Sequence, residues 1–533
     1  MTGTVDFVVA GAGHNSLIAA AYLARAGYEC LVLEAGPRIG GDTATEELTG
    51  PGIAQDSCST AHVLIQASPV IRDDELGLLG DYGLEYLHPD PVCHFPFPDG
   101  ESLTIWRELD ATCEELARLS PRDADAYRRL ITDYGEARGA FSRDRNTPPG
   151  RGPGLDALLS ELPSGGRWRR IAAESAWEVI AREFTHPKVR AAILWLAMAT
   201  VQPPDRPGTG PLAYSLPYGR QTQSWTVPRG GSAALPEALL RAIEAHGGEA
   251  RTGTPVTGLL LEGGRCAGVE TADGERHPAR HGVVSTIHPK QLIEMAPPES
   301  WGDDFSWGVE TWKPGLTLFA AYYATSAPPL YHGSDGEMTS VAAGIATSPE
   351  RMLRVAPEFG AGRVAADEPW LLVVNATAAD PSRAPDGVHT LKLLGIQPYG
   401  LPEGPEHWDE IKEEVAAALL SHLRRFCPNL TDDVILASHV KSPLDIERRN
   451  PHNWHGSCHG GDLDPSQSGS LRPVPGWADH RTPIPGLYQT GATTHPGGSV
   501  SGAPGRNAAS VILEDLGRGI DEVVSGRAEA AAG

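Results

Sequence analysis

Cysteine is sparse in this chain. Seven thiols, Cys30, Cys58, Cys93, Cys113, Cys266, Cys427 and Cys458, are scattered over 533 residues with no CxxC pair and no regular spacing. That pattern excludes a disulfide framework and points to a reducing compartment, so a cytoplasmic location is expected. Basic residues are also in deficit. Lys and Arg number 44 against 68 Asp and Glu, a formal charge of −24, which argues against nucleic acid as a partner and against electrostatic docking to an anionic membrane. Long hydrophobic runs are missing. The longest compact one, Ala191 to Ala199, is too short to span a bilayer. It reads as a buried helix, with an apolar pocket wall or a monolayer-facing entrance as the second reading, so peripheral membrane contact stays open. The first strand pattern begins within five residues of Met1, so no secretory leader is expected. No GxSxG elbow, Walker loop, HExxH or paired-carboxylate signature stands out, which leaves hydrolase and kinase readings unsupported.

What is present lies at the two ends. Val5 to Ala10 is nearly all apolar, as in a strand buried on both faces of a parallel sheet, and leads into Gly11-Ala12-Gly13-His14-Asn15-Ser16. Gly11 permits a tight turn and Gly13 a close approach to a pyrophosphate. The following helix offers that phosphate its unpaired N–H groups. A second strand, Cys30 to Leu33, ends at Glu34, placed to accept hydrogen bonds from ribose hydroxyls. NAD competes for such a site. The stretch Glu34-Ala35-Gly36-Pro37-Arg38-Ile39-Gly40-Gly41-Asp42-Thr43 favours a longer, flavin-bearing dinucleotide instead, with Arg38 readable equally as a solvated surface arginine. Near the other end, Gly486 to Thr490 leads into Gly491-Ala492-Thr493-Thr494-His495-Pro496-Gly497-Gly498 and a helix-like stretch. Paired with the first motif, it points to FAD, held non-covalently.

These fingerprints lie more than 400 residues apart, so the expected fold is α/β: a Rossmann-type FAD-binding domain with an interleaved α+β substrate domain. The discontinuous cofactor domain is assigned residues 1–70, 221–300 and 446–525, the cap 71–220 and 301–445, and a flexible tail 526–533. The Pro/Gly/Arg-rich stretch from Asn146 to Gly154 reads as a mobile surface loop, a candidate lid. The block from Val227 through Gly230, a helix, a hairpin turned at Gly263-Gly264 and a strand at Val283 to Thr286 marks the return to the cofactor domain. Strands are expected at Leu316–Tyr323, Trp370–Ala376 and Thr390–Ile396, and then a helix with Ile411, Val415, Leu419, Leu423 and Phe426 on one face.

With those residues in place, the chain resembles the phytoene desaturase-related FAD-dependent oxidoreductases, in the branch of pyridine nucleotide-disulfide oxidoreductase domain-containing protein 2. The strings that carry the likeness are Gly11 to Asn15, Gly40-Gly41, Pro228 to Gly231, Arg481 to Tyr488, and Gly491 to Gly498 continuing through Gly502 to Ala509. Ser16 stands where the family usually has glycine. The resemblance implies a flavin domain of the p-hydroxybenzoate hydroxylase or amine oxidase type, and hydride transfer from a C–H to flavin N5. It also implies that Gly491 and Ala492 pass close to the isoalloxazine. Ser499, Val500 and Ser501, after Gly498, would open the final helix toward the N1–O2 edge, and the Val256 backbone would meet the adenine.

Catalytic candidates are His495 and His62 near the ring and Trp454 and His455 on the substrate side. For His62, a satisfied structural histidine is the leading alternative. A base is needed only if a proton leaves with the hydride. The run His452 to His459 with Asp462 has zinc-compatible ligand types, but no second ligand group follows at a suitable spacing, so no metal is assigned. The expected activity is an FAD-dependent dehydrogenase or desaturase acting on a small apolar or amphipathic organic substrate, with oxygen or a quinone as acceptor. An amine oxidase, a redox-neutral isomerase and a non-catalytic flavin-binding partner remain as alternatives.

Overall fold

In the computed structural model, which describes residues 3–334 and 336–525, the two chain ends meet in one sheet. The expected tail, 526–533, lies outside the described residues. Five strands run parallel in the order Glu249–Arg251, Cys30–Leu33, Val5–Ala10, Arg276–Ser285 and Leu487–Gln489. The first strand is central, so its apolar run is buried on both faces. Phe7 and Val9 join one core with the helices His14–Arg25, Ala234–Ala245 and Ala503–Asp515, while Val8 and Ala10 join another with Trp301, Phe305 and Val309. Leu76, Leu78 and Leu84, beyond residue 70, also pack into the first of these cores.

The strand expected from Val283 is longer than its apolar core suggests. Arg276–Ser285 pairs antiparallel with Arg265–Thr271 near its start and parallel with Val5–Ala10 and Leu487–Gln489 near its end. It therefore belongs to a three-stranded meander as well as to the parallel sheet. The hairpin Val256–Glu262/Arg265–Thr271 turns where expected. Gly263 and Gly264 both have positive φ (58° and 80°), a two-residue turn that other residues adopt only with strain.

A second sheet has the order Ile435–Lys441, Leu318–Thr325, His389–Ile396, Leu371–Val374, Ala342–Ile345, Cys93–Pro96 and Ser102–Ile105. Three of its strands match the expected ones within a few residues; the other four carry shorter or less apolar patterns. The amphipathic helix Trp408–Arg424 covers one face through Val415, Leu419 and Leu423, which meet Phe319, Ala321 and Tyr323. A helical layer, including Pro121–Arg145 and Pro187–Met198, packs on the sheet's far end. Pro187–Met198 contains all but the last residue of the longest apolar run, and Ala191 through Met198 are all at most 2% exposed, as the buried-helix reading requires. Among the described residues no helix is long and apolar enough to cross a membrane. The Asn146–Gly154 stretch is tied to the rest of the chain by Arg151, whose guanidinium lies 2.6 Å from Glu514 and 3.5 Å from Asp479.

The final helix differs from expectation. It opens at Ala503 and not at Ser499, because Gly502 sits in the left-handed region as N-cap and Pro504 occupies the first turn. Ser499 itself has φ 106°, which no helix accommodates. This helix packs on the first one through Gly505, where a Cβ would run into the Asn15 carbonyl oxygen. Beside that contact, Arg506 and Glu75 form a partly buried ion pair at 2.8 Å, and the Tyr22 hydroxyl donates to the same carboxylate.

Candidate cofactor and active site

Three glycine segments converge at the ends of the parallel strands. Gly11 has φ 96°, and a Cβ there would strike Thr286 Oγ1 at the end of the neighbouring strand. Gly13 bridges Gly40, and Gly40 donates its N–H to the Ala12 carbonyl at 2.7 Å. Gly41 Cβ would stand 3.3 Å from Gly13 Cα. Gly491 follows the Leu487–Gln489 strand, with Thr286 and His452 as its nearest side chains. Gly498 abuts the 457–463 loop so closely that a Cβ would lie 2.5 Å from His459 Cα.

Glu34 does two local jobs. Its carboxylate accepts N–H groups from Ala12 and Gly36, both at 2.8 Å, fixing the glycine turn to the second strand. Thr254 donates to the Glu34 carbonyl at 2.8 Å, which brings Val256 toward the same place. Ala35 and Arg38 are exposed. Asp42 accepts from the side-chain amides of Asn450 and Asn453, at 3.1 and 3.0 Å, and so joins the first motif to the histidine-rich segment. Thr43 is fully buried with its hydroxyl on the Gly40 carbonyl. Gly230 donates to Asp380 Oδ2 at 2.7 Å.

The candidate histidines occupy different settings. His62 is fully buried with both ring nitrogens engaged, Nε2 with Ser232 Oγ at 2.8 Å and Nδ1 with the Tyr86 hydroxyl at 3.2 Å. His495 Nε2 meets the Asp144 carbonyl at 3.0 Å, at the end of the long Pro121–Arg145 helix. His455 lies parallel to Tyr399 (centroids 4.8 Å apart) and stacks on Trp454 at 4.0 Å. The histidine-rich run does not converge on a point. His452 Nδ1 meets the Thr286 carbonyl, Asp462 pairs with Arg206, and His459 lies against Gly498. Among the described residues no three His, Cys, Asp or Glu side chains are arranged to hold a metal ion.

One organising residue carries no sequence signal. Arg472 is fully buried, and its guanidinium donates to the carbonyls of Ala492, His459, Asp462 and Gln467 at 2.6 to 3.2 Å. It clamps the terminal glycine loop to the 457–463 loop. Burial pushes its pKa down to about 9, still charged at neutral pH.

Burial dominates the local titration. It pushes His62 down to about 3 and His14, His94 and His459 to about 4. In the unfolded chain these rings titrate near 6.5, so below that pH the unfolded state binds more protons and stability is lost toward pH 4. Each fully buried ring costs about 1.4 kcal/mol per pH unit over that range. The urea midpoint is therefore expected to fall steadily from pH 7 to pH 5; a flat profile would refute the neutral, buried assignment.

Several buried polar atoms here make no hydrogen bond within the protein: His14 Nε2, Asn15 Oδ1, His459 Nδ1, Thr490 Oγ1 and Thr493 Oγ1. A Cβ on Gly13 would meet no protein atom within 4 Å. Unsatisfied donors and acceptors beside glycine turns at strand ends fit a large polar dinucleotide.

Comparison with known proteins agrees. The family model for flavin containing amine oxidoreductases matches residues 17–513. A limonene dehydrogenase polypeptide of Castellaniella defragrans is 27% identical over 554 residues, covering 98% of each chain. Pyridine nucleotide-disulfide oxidoreductase domain-containing protein 2 of Mus musculus is 27% identical, covering 96% of this chain and 94% of its own. Hydroxyneurosporene desaturase of Cereibacter sphaeroides is 28% identical over 96% and 97%. Among solved structures, wild-type putrescine oxidase bound to putrescine superimposes with a TM-score of 0.64 at 16% identity, over 97% of this chain and all of that one, which shows a shared fold. The likeness read from the motifs is borne out: this chain is an FAD-dependent oxidoreductase and belongs to the flavin-containing amine oxidoreductase family.

Proposed function

We propose that the protein is a dehydrogenase or desaturase that removes hydride from a C–H of a largely apolar small molecule, with oxygen or a quinone as final acceptor. The carrying observation is the likeness, over nearly the whole chain, to two relatives whose names point to apolar substrates, a limonene dehydrogenase and a hydroxyneurosporene desaturase. Beside the terminal glycine loop a small pocket is walled by Thr200–Gln202, Pro314–Leu316 and the loop from Ser457 to Leu463. Its one carboxylate, Asp462, is already paired with Arg206.

When bound, FAD supplies a two-electron hydride acceptor. In this reading the chain supplies position and dryness. The Gly11–Gly13 turn with His14 and Asn15 holds the pyrophosphate, Glu34 the ribose, Val256 the adenine end, and Gly40–Thr43 with Gly230 the middle of the cofactor. Gly491, Ala492 and Gly498 to Ser501 border the ring, and Arg472 holds their loop against the 457–463 loop. His62 and His495, each hydrogen-bonded within the protein, position their loops. Trp454 and His455 form a stacked wall on the substrate side.

The test is anaerobic flavin reduction by a panel of alkenes, alcohols and amines, read at the flavin absorbance band. Bleaching by terpenoid alkenes is expected. Bleaching by amines alone, with peroxide formed in air, would overturn the proposal in favour of an amine oxidase. Isomerised product with no acceptor consumed would overturn it in favour of an isomerase.

A further inference from the structure

The helix Leu212–Gln223 ends in an unusual pair. Arg220 is 8% exposed, and neither its Nε nor its Nη1 has a hydrogen-bond partner within the protein. Its guanidinium lies 3.8 Å from the ring centroid of Trp225, itself 1% exposed, whose indole Nε1 is also buried without a partner. Among the described residues no carboxylate pairs with Arg220, and the one titratable neighbour acting on it is the buried Cys93 thiol. The other two buried arginines among the described residues are compensated: Arg383 pairs with Asp56, and Arg472 with a ring of carbonyls.

The geometry around the pair is built, not incidental. Ser224 takes φ 62° to fold Trp225 back beneath Arg220, and its hydroxyl is pinned on the Pro89 carbonyl. The Trp195 ring centroid lies 6.4 Å from that of Trp225, so a second indole borders the pair. The face of Trp225 and the C-terminal carbonyls of the helix offset part of the charge. Neither supplies the anion that a buried guanidinium normally has. Of the three guanidinium nitrogens, Nη2 is the one that is not among these buried, unpartnered atoms. The segment then runs straight into Val227–Pro228 and the Gly230 turn assigned to the cofactor half.

We propose that Arg220, assisted by Trp225, is the recognition site for a carboxylate on the substrate, which makes that substrate amphipathic, an apolar body with one anionic end. This rests on the reading of the protein as an oxidoreductase of apolar small molecules, and it narrows that class. Arg220 would bind the carboxylate by a charge-assisted hydrogen bond.

The test uses the full-length FAD-loaded protein and needs no turnover. Straight-chain carboxylates from butyrate to dodecanoate, and their matching alcohols, are titrated by calorimetry and thermal shift. At least one carboxylate is expected to bind tenfold or more tightly than its alcohol. Arg220→Met should erase that preference while leaving the unliganded melting temperature unchanged or raised, because it removes an unpaired buried charge. Arg220→Lys should retain part of the preference. Equal binding of acids and alcohols across the series, or a preference that survives Arg220→Met, would overturn the assignment. Failure of every alkene to bleach the flavin, with carboxylate binding still dependent on Arg220, would sink the hydride-transfer reading and leave this site standing.

Discussion

Gly13→Val protein is expected to fold normally and to purify colourless, with FAD affinity lowered by about a hundredfold or more. The structure separates the two effects. Gly13 has φ −69° and ψ 158°, a conformation open to valine, and a Cβ there meets no protein atom within 4 Å. Any loss of flavin therefore reports on the ligand and not on the fold. Gly11 is the contrasting control. Its positive φ and the crowding by Thr286 Oγ1 mean that Gly11→Val should destabilise the apoprotein itself. The measurements are the flavin-to-protein absorbance ratio and circular dichroism of each variant. A Gly13→Val protein that retains a full complement of FAD would show that the pyrophosphate lies elsewhere.

Arg383→Leu is expected to cost about 3–5 kcal/mol of stability, the penalty of leaving buried carboxylates without their cation. Arg383 and Asp56 are both essentially unexposed and lie 2.6 Å apart, with Asp380 at 3.5 Å. The same guanidinium donates to the Pro228 carbonyl at 2.9 Å, Asp56 accepts the Ser232 N–H at 2.8 Å, and Asp380 accepts that of Gly230. One buried charge network thus joins the 55–60 loop, the Gly230 turn and the strand-bearing cap. Nearby, the Lys392 ammonium donates to the Asp56 and Cys58 carbonyls and to Thr60 Oγ1. Burial alone would raise the Asp56 pKa, but Arg383 and Lys392 beside it win and hold it below the usual carboxylate range. A depressed folded pKa means that this contribution is complete above about pH 4 and is lost as pH falls through the folded value. It adds to the acid lability of the buried histidines. Denaturant unfolding at pH 7 measures the loss directly. A change below about 1 kcal/mol would show that the network relaxes around the deletion.

Local signals in the chain carry a long way. Gly263-Gly264 announces a two-residue hairpin because only positive φ closes it, and Val5 to Ala10 announces a doubly buried strand because no polar face interrupts it. The start of the final helix is less legible. The resemblance implies a start at Ser499 to Ser501, but the left-handed Gly502 and Pro504 delay the helix to Ala503. The strands Cys93–Pro96, Ser102–Ile105, Ala342–Ile345 and Ile435–Lys441 give little local signal because they are short or mix polar with apolar residues. For His62 the residue type alone leaves a catalytic and a structural role open, and its two hydrogen bonds, to Ser232 and Tyr86, join segments far apart in the chain.

The α/β class, the pairing of the two glycine-rich ends and the flavin nucleotide they imply are legible in the chain, because glycine placement and strand periodicity are written within a few neighbouring residues. Which charges are compensated emerges on folding alone. Arg472 finds carbonyls, Arg383 finds Asp56, and Arg220 finds neither. The side chains themselves are alike. What separates them is the desolvation each suffers and the partners that reach it, and these depend on contacts between segments hundreds of residues apart.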